Sequence, residues 1–207
     1  HISFTKWYNG IIHIWKWKGF YMNVLTTDKT VFKDTDYTEF LNIIDDIISN
    51  KTVQKMNDYK HHCDTTCFEH CFNVAYYTYT ISKKLKLDYK SATRGAMLHD
   101  LFLYDWRHTS KKCKRFKDLH AFSHPRTALH NSLKLFNLNE TEKDVILNHM
   151  WPVTPKLPKT KEGFIITFAD KFSALNESFT YFTNNLHKKK SYKYAYVFLS
   201  LIVFRII

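Results

Sequence analysis

Residues 94–101, Arg94-Gly-Ala-Met-Leu-His-Asp-Leu101 (RGAMLHDL), set a histidine and an aspartate side by side at the end of a helical run. Asp88 stands where an N-cap belongs, because its side-chain oxygen can accept from an unpaired backbone N–H of the first turn. Ala92 and Ala96 follow at helical spacing and lead into His99 and Asp100. Gly95 is the one helix-weakening residue in the run and permits close packing against a neighbour. Imidazole and carboxylate are both good ligands for first-row divalent metals. Adjacent helical residues point about 100° apart, so the pair either splays across one ion or serves two. A His-Asp pair alone arises by chance in many proteins, and its surroundings decide its meaning.

Those surroundings are helical. Only four glycines and four prolines occur in 207 residues, which argues for long helices joined by short connections. Phe40, Ile43, Ile44, Ile47 and Ile48 share one face of a helix running from Asp36 to near Asn50. A second helix is expected over 64–85, with Phe68, Phe72, Ala75 and Tyr79 on one face and His70, Val74, Tyr77 and Ile81 on the next. Pro125 suits the first position of another. Thr141 with Asp144 reads as a capping box opening a helix through Val145, Ile146 and His149, stopped by Pro152, Pro155 and Pro158. Two more helices are expected over 161–186 and 192–207. The fold class is therefore all-α, a single helical bundle over 36–190. Residues 1–35 form an N-terminal extension, expected to be partly disordered, in which Met22 reads as the natural start. Residues 191–207 form an apolar helix packed on the domain, too short to span a bilayer of about 20 residues and interrupted by Arg205.

Each remaining candidate ligand falls on a different helix. His70 lies in CFEHC, His124 in FSHP at a helix start, His149 in ILNHMWP at a helix end, and Asp170 in TFADK within an apolar stretch. An ionised Asp among Phe164, Ile165, Ile166 and Phe168 is costly unless paired or metal-bound. His61, His62, His120 and His130 stand outside this set. Cys63, Cys67 and Cys71 recur every four residues along one helical stripe and, with Cys113, read as reduced thiols of a cytoplasmic protein. The net charge of +12 suits a phosphate-bearing partner. The basic runs 111–117 and 187–193 are read as solvated.

The ordered series H…HD…H…H…D resembles the HD-domain superfamily of metal-dependent phosphohydrolases over roughly residues 60–180. His70, His99, Asp100 and Asp170 match its defining pattern. His124 and His149 look like the added histidines of its two-metal subgroups, such as dinucleoside tetraphosphate hydrolases and HD-GYP phosphodiesterases. The GYP motif is absent, and the Lys that many relatives carry after the HD pair is missing from LHDLFLYDWR, which looks like a group of bacterial HD proteins. The resemblance implies an all-α bundle and two divalent ions, of Fe, Mn, Zn, Co or Ni. It also implies cleavage of a phosphate ester or phosphoanhydride, nucleotide being the preferred class, by metal-activated hydroxide. In this arrangement Asp100 bridges the ions, His70, His99 and Asp170 complete one site, and His124 and His149 the other. Lys171 and Arg94 are expected to act on the phosphoryl group as catalytic cations, and Arg126, Arg107 and Lys171 to bind the substrate. Asp105 is read as a general acid, a substrate contact or a helix cap, and Glu69 as a partner orienting His70. Two alternatives remain open: an HD-fold di-iron oxygenase, and a non-catalytic module binding nucleotide or nucleic acid, with nucleic acid not favoured.

Overall fold

A computed structural model describes residues 34–61, 65–106 and 120–188. The chain divides into two units, 1–39 and 40–207. α1 (Asp34–Ile48) runs across that boundary, so only its first turns belong to the first unit. The second unit continues with α2 (Lys51–Gln54), a 3₁₀ turn (Lys55–Asp58), α3 (Cys67–Lys84), α4 (Tyr89–Leu98), α5 (His120–Leu135), α6 (Glu140–Asn148) and α7 (Lys161–Lys188). The described residues contain no β-strand, only an isolated antiparallel bridge between Lys60 and Thr66. The fold is all-α, as the shortage of turn formers and the apolar periodicity predict.

Local sequence sets most of the helix ends. Thr66 and Glu69 close a reciprocal capping box at the start of α3. Glu69 is thereby committed to the cap, which corrects the expectation that it orients His70. Asp88 caps α4 by accepting from Ser91 N at 3.1 Å. α6 begins two residues before the expected Thr141 cap, with Asn139 as N-cap and Glu142 as its reciprocal partner. The amide oxygen of Asn139 and the longer Glu side chain satisfy both N-terminal donors, which the Thr141–Asp144 pairing does not do. Asp144 instead accepts from Lys159 N, Thr160 N and the Thr160 hydroxyl, tying the proline loop after α6 to the start of α7. α5 starts at His120 rather than at Pro125, which lies inside the helix. The proline withholds one N–H from the ladder, and the five preceding residues are nonetheless helical.

The core brings α3, α4, α6 and α7 together around Phe68, Val74, Ala96, Met97, Ile146, Ile166 and Ala169, all buried. Phe40 of α1 meets Phe72 and Tyr76 of α3 edge-on, at 5.3 and 5.2 Å between ring centres. Gly95 supports the closest approach of α4 to α6. A Cβ there would stand 2.7 Å from Val145 Cγ1 and 3.2 Å from the Glu142 carbonyl oxygen. Of the apolar residues flanking Asp170 in sequence, Ile166 is buried, whereas Phe164 and Phe168 are exposed. No helix among the described residues is long and apolar enough to cross a membrane. Residues 1–33 of the expected extension 1–35, and the C-terminal helix expected over 192–207, lie outside the described residues.

Candidate metal centre

Two of the four imidazoles are aimed by the ends of the helices that carry them. α4 stops at Leu98, making His99 its C-cap, and α6 stops at Asn148, making His149 its C-cap. The last carbonyls of a helix have no partner within it. His99 Nδ1 donates to the Ala96 carbonyl at 2.7 Å, and His149 Nδ1 to the Ile146 carbonyl at 2.8 Å. His124 Nδ1 donates to the His120 carbonyl at 2.7 Å. His70 is fixed from across the bundle: its Nδ1 lies 3.0 and 3.2 Å from the two carboxylate oxygens of Glu177 on α7. A neutral imidazole carries one N–H and one lone pair. Committing Nδ1–H to an acceptor leaves a lone pair on every Nε2.

All four Nε2 atoms point at carboxylates or at each other. His70 Nε2 lies 3.1 Å from Asp170 Oδ1, and His99 Nε2 lies 3.5 Å from Asp100 Oδ2 and 3.8 Å from Asp170 Oδ1. On the other edge of Asp100, His124 Nε2 is 3.2 Å and His149 Nε2 3.7 Å from Oδ1, and the two nitrogens are 2.9 Å apart. Acceptors face acceptors throughout. His99 Nε2 and Asp100 Oδ1 are buried without a hydrogen-bond partner, although His124 approaches Oδ1, because that approach lacks hydrogen-bond geometry. Only a positive charge resolves such an arrangement, either protons or metal ions. The donor sets His70–His99–Asp170 and His99–Asp100–His149 each converge closely enough to hold one ion. A ligating histidine typically gives its other N–H to a carbonyl or carboxylate, as all four do here.

The electrostatics carry the same message. Burial raises the cost of ionising Asp100, yet the His99, His124 and His61 rings hold its carboxyl well below the usual carboxylate range. Burial opposes Asp170 in the same way, and the His70 hydrogen bond with the nearby His99 outweighs it, so its pKa is lowered. His70 and His99 are disfavoured as cations by burial, but the adjoining carboxylates win. His70 is raised well above its ordinary value, and His99 is pushed up to about 9. His149 cannot follow, since burial and the His99 and His124 charges push it down to about 3. Protons therefore fill part of the site in the metal-free chain but not all of it.

The six expected ligands, His70, His99, Asp100, His124, His149 and Asp170, are brought together. The cations divide. Lys171 stands at the rim, its Nζ donating to the His149 carbonyl at 3.0 Å and lying 3.4 Å from Asp170 Oδ2. Arg94 is turned elsewhere, which corrects its expected catalytic role. Its guanidinium holds Asp46 at 2.6 and 2.9 Å, Glu142 at 3.0 Å and the Ile43 carbonyl at 3.1 Å. Two carboxylates and a carbonyl occupy it, so it ties α4 to α1 and α6. Arg126 is exposed, Asp105 is half-buried, and Arg107 lies outside the described residues. Cys67 and Cys71 are free and buried, with burial pushing both thiols up, and neither belongs to a converging donor set among the described residues. Cys67 Sγ instead donates to the Asp100 carbonyl at 3.2 Å, steadying the turn after His99.

Two residues at the centre were not among the expected ligands: Glu177 was not singled out, and His61 was set outside the group. Glu177 shares a helical face with Asp170, two turns further along α7, and that spacing was the available signal. His61 lies in the loop before α3, with Nε2 2.6 Å from Asp100 Oδ2. Its only signal was a histidine-rich stretch close ahead of His70.

No curated protein and no solved structure matches the chain. A family model described as HD domain matches residues 67–175, more than half of the sequence. That span runs from the start of α3 into α7 and encloses His70, the His99–Asp100 pair, His124, His149 and Asp170, and on this match the chain belongs to the HD-domain family.

Proposed function

We propose that this chain is a metal-dependent phosphohydrolase acting on a phosphate ester or phosphoanhydride of a small substrate, with a nucleotide as the favoured class. The observation that carries the reading is the convergence of the His70, His99, His124 and His149 Nε2 atoms on the carboxylates of Asp100 and Asp170. The net charge of +12 supports a phosphate-bearing substrate.

Two ions would be held by these residues, one by His70, His99 and Asp170 and the other by His124 and His149, with Asp100 within reach of both. A divalent ion supplies Lewis acidity there, lowering the pKa of a water and polarising a phosphoryl oxygen. The chain's own residues do the rest. Burial of Asp100, His99 and His149 keeps water from competing for their donor atoms. Glu177 and the carbonyls of Ala96, His120 and Ile146 hold the four rings in one tautomer. Lys171 has three donors, of which the His149 carbonyl and Asp170 take two. The third is available to a phosphoryl oxygen, as fixed positive charge beside the reacting group.

Elemental analysis of freshly purified protein, paired with an anaerobic screen of phosphate mono- and diesters and nucleotides, tests the proposal. Two ions per chain and phosphate or nucleotide release support it. Absence of bound metal, or turnover that consumes dioxygen, overturns it, the latter in favour of a di-iron oxygenase.

A further inference from the structure

Asp100 is surrounded by five imidazoles rather than four, and the nearest is the one the ligand pattern leaves out. His61 Nε2 stands 2.6 Å from Asp100 Oδ2, closer than His99, His124 or His149 comes to either oxygen. Its ring packs edge-on against His70, 4.4 Å between centres, and against Phe102 at 5.9 Å. Donor atoms of His61, His70 and Asp100 all lie within 4.8 Å of one another, which is a metal-holding set in its own right. The residue precedes the span that the family model matches.

Its position is set by the backbone. His61 N donates to the Thr65 carbonyl at 2.9 Å, Cys67 N to the Tyr59 carbonyl at 2.8 Å, and Lys60 bridges Thr66. These bonds hold His61 over the start of α3, one turn above His70. The side chain is 9% exposed, so the ring lies inside the centre rather than at its mouth.

We propose that His61 is an additional metal donor, acting with His70 on the Oδ2 edge of Asp100. The inference rests on the metal-centre reading above. Oδ2 is the oxygen that an ion on this edge requires, and His61 Nε2 occupies its approach. An ion entering there takes both atoms as ligands. The hydrogen bond between them would thus be exchanged for two coordinate bonds, the Nε2 proton passing to Nδ1 so that the ring stays neutral. This edge is then richer in nitrogen than the His124–His149 edge and is the tighter of the two.

The test uses the full chain stripped of metal and titrated with Co²⁺, read by visible absorption and calorimetry. H61Q is expected to weaken one of the bound ions by about 10–100-fold, at least as much as loss of a residue supporting a ligand costs, and to alter the intensity of the cobalt bands. Wild-type stoichiometry, affinity and spectrum in H61Q overturn the proposal and leave His61 a hydrogen-bonding neighbour. Proton NMR of the cobalt-loaded wild type provides a check without mutation. A hyperfine-shifted exchangeable N–H is expected from each of His61, His70, His99, His124 and His149, and a spectrum lacking the His61 signal sinks the idea. H99A separates the two claims: if H99A binds cobalt like wild type, the metal-centre reading itself has failed, whereas a normal H61Q beside a defective H99A removes His61 alone.

Discussion

His124 Nε2 and His149 Nε2 lie 2.9 Å apart, and each ring has already given its Nδ1–H to a backbone carbonyl of its own helix. Two lone pairs at that distance repel unless a positive charge lies between or beside them. A second proton on one ring relieves the pair, and an ion relieves it together with the nearby Asp100 oxygen. We predict that H149A loses the ion on this edge and keeps the ion held by His70, His99 and Asp170. Metal analysis of the variant checks this, and an unchanged metal content counts against a two-ion centre.

The pH dependence of the metal-free protein follows from the raised histidines. His99 moves from an ordinary value of 6.5 to about 9 on folding, and His70 rises too. A group raised on folding stabilises fully below its unfolded pKa and loses that contribution as pH climbs through the folded one. The Tm of the metal-free chain is therefore expected to fall between pH 6.5 and 9. The metal-loaded protein, whose ligands carry an ion in place of protons, is expected to fall less. Loading at pH 7 is also expected to release protons, measurable in a weakly buffered solution. A metal-free Tm that rises across this window contradicts the assignment.

Glu177 is expected to matter through His70 rather than by touching substrate. E177Q keeps the shape but offers a neutral acceptor to His70 Nδ1, so the ring becomes a weaker donor at Nε2. Loss of about 10–100-fold in metal affinity is expected, with the helical circular dichroism unchanged. Equal affinities for E177Q and wild type would show that the carboxylate charge is immaterial.

Arg94 provides the contrast. R94M leaves Oε1 of the buried Glu142 without its donor, while Oε2 keeps the Asn139 N–H, and should cost about 1–3 kcal/mol, as a buried acceptor left unsatisfied does. Metal content and turnover per folded molecule should stay at wild-type levels. Thermal melts beside metal analysis separate the outcomes, and lost turnover at normal stability would restore Arg94 to the reaction.

Gly95→Ala sets two effects against each other. Alanine gains roughly 1 kcal/mol in helix propensity, but its Cβ would meet Val145 Cβ at 3.0 Å and Cγ1 at 2.7 Å. Overpacking of this kind costs about 1–3 kcal/mol. Because Val145 is buried and branched at the contacting atom, the clash is expected to win. A lowered Tm checks it, and an unchanged or higher one shows that α4 and α6 separate freely.

What could be read from the chain was what local chemistry dictates. Apolar periodicity and scarce turn formers gave the helices. The Asp88 cap and the prolines after His149 marked ends that depend on neighbouring residues alone. The six candidate ligands were legible because several stand out within a few residues (a His-Asp pair, a histidine before a proline, an acid in an apolar run) and because their order resembles the HD pattern. What required the folded molecule was pairing over distance. His70 meets Glu177 across 107 positions, Arg94 meets Glu142 across 48, and His61 meets Asp100 across 39. No local pattern assigns such partners, because a side chain's direction depends on how helices rotate against each other in the core. The same reason explains the error over Arg94: one turn before His99 in sequence, it leaves the helix on a different face and finds two carboxylates there. Identity of residue types proposed the metal centre, and packing chose which neighbours orient its ligands.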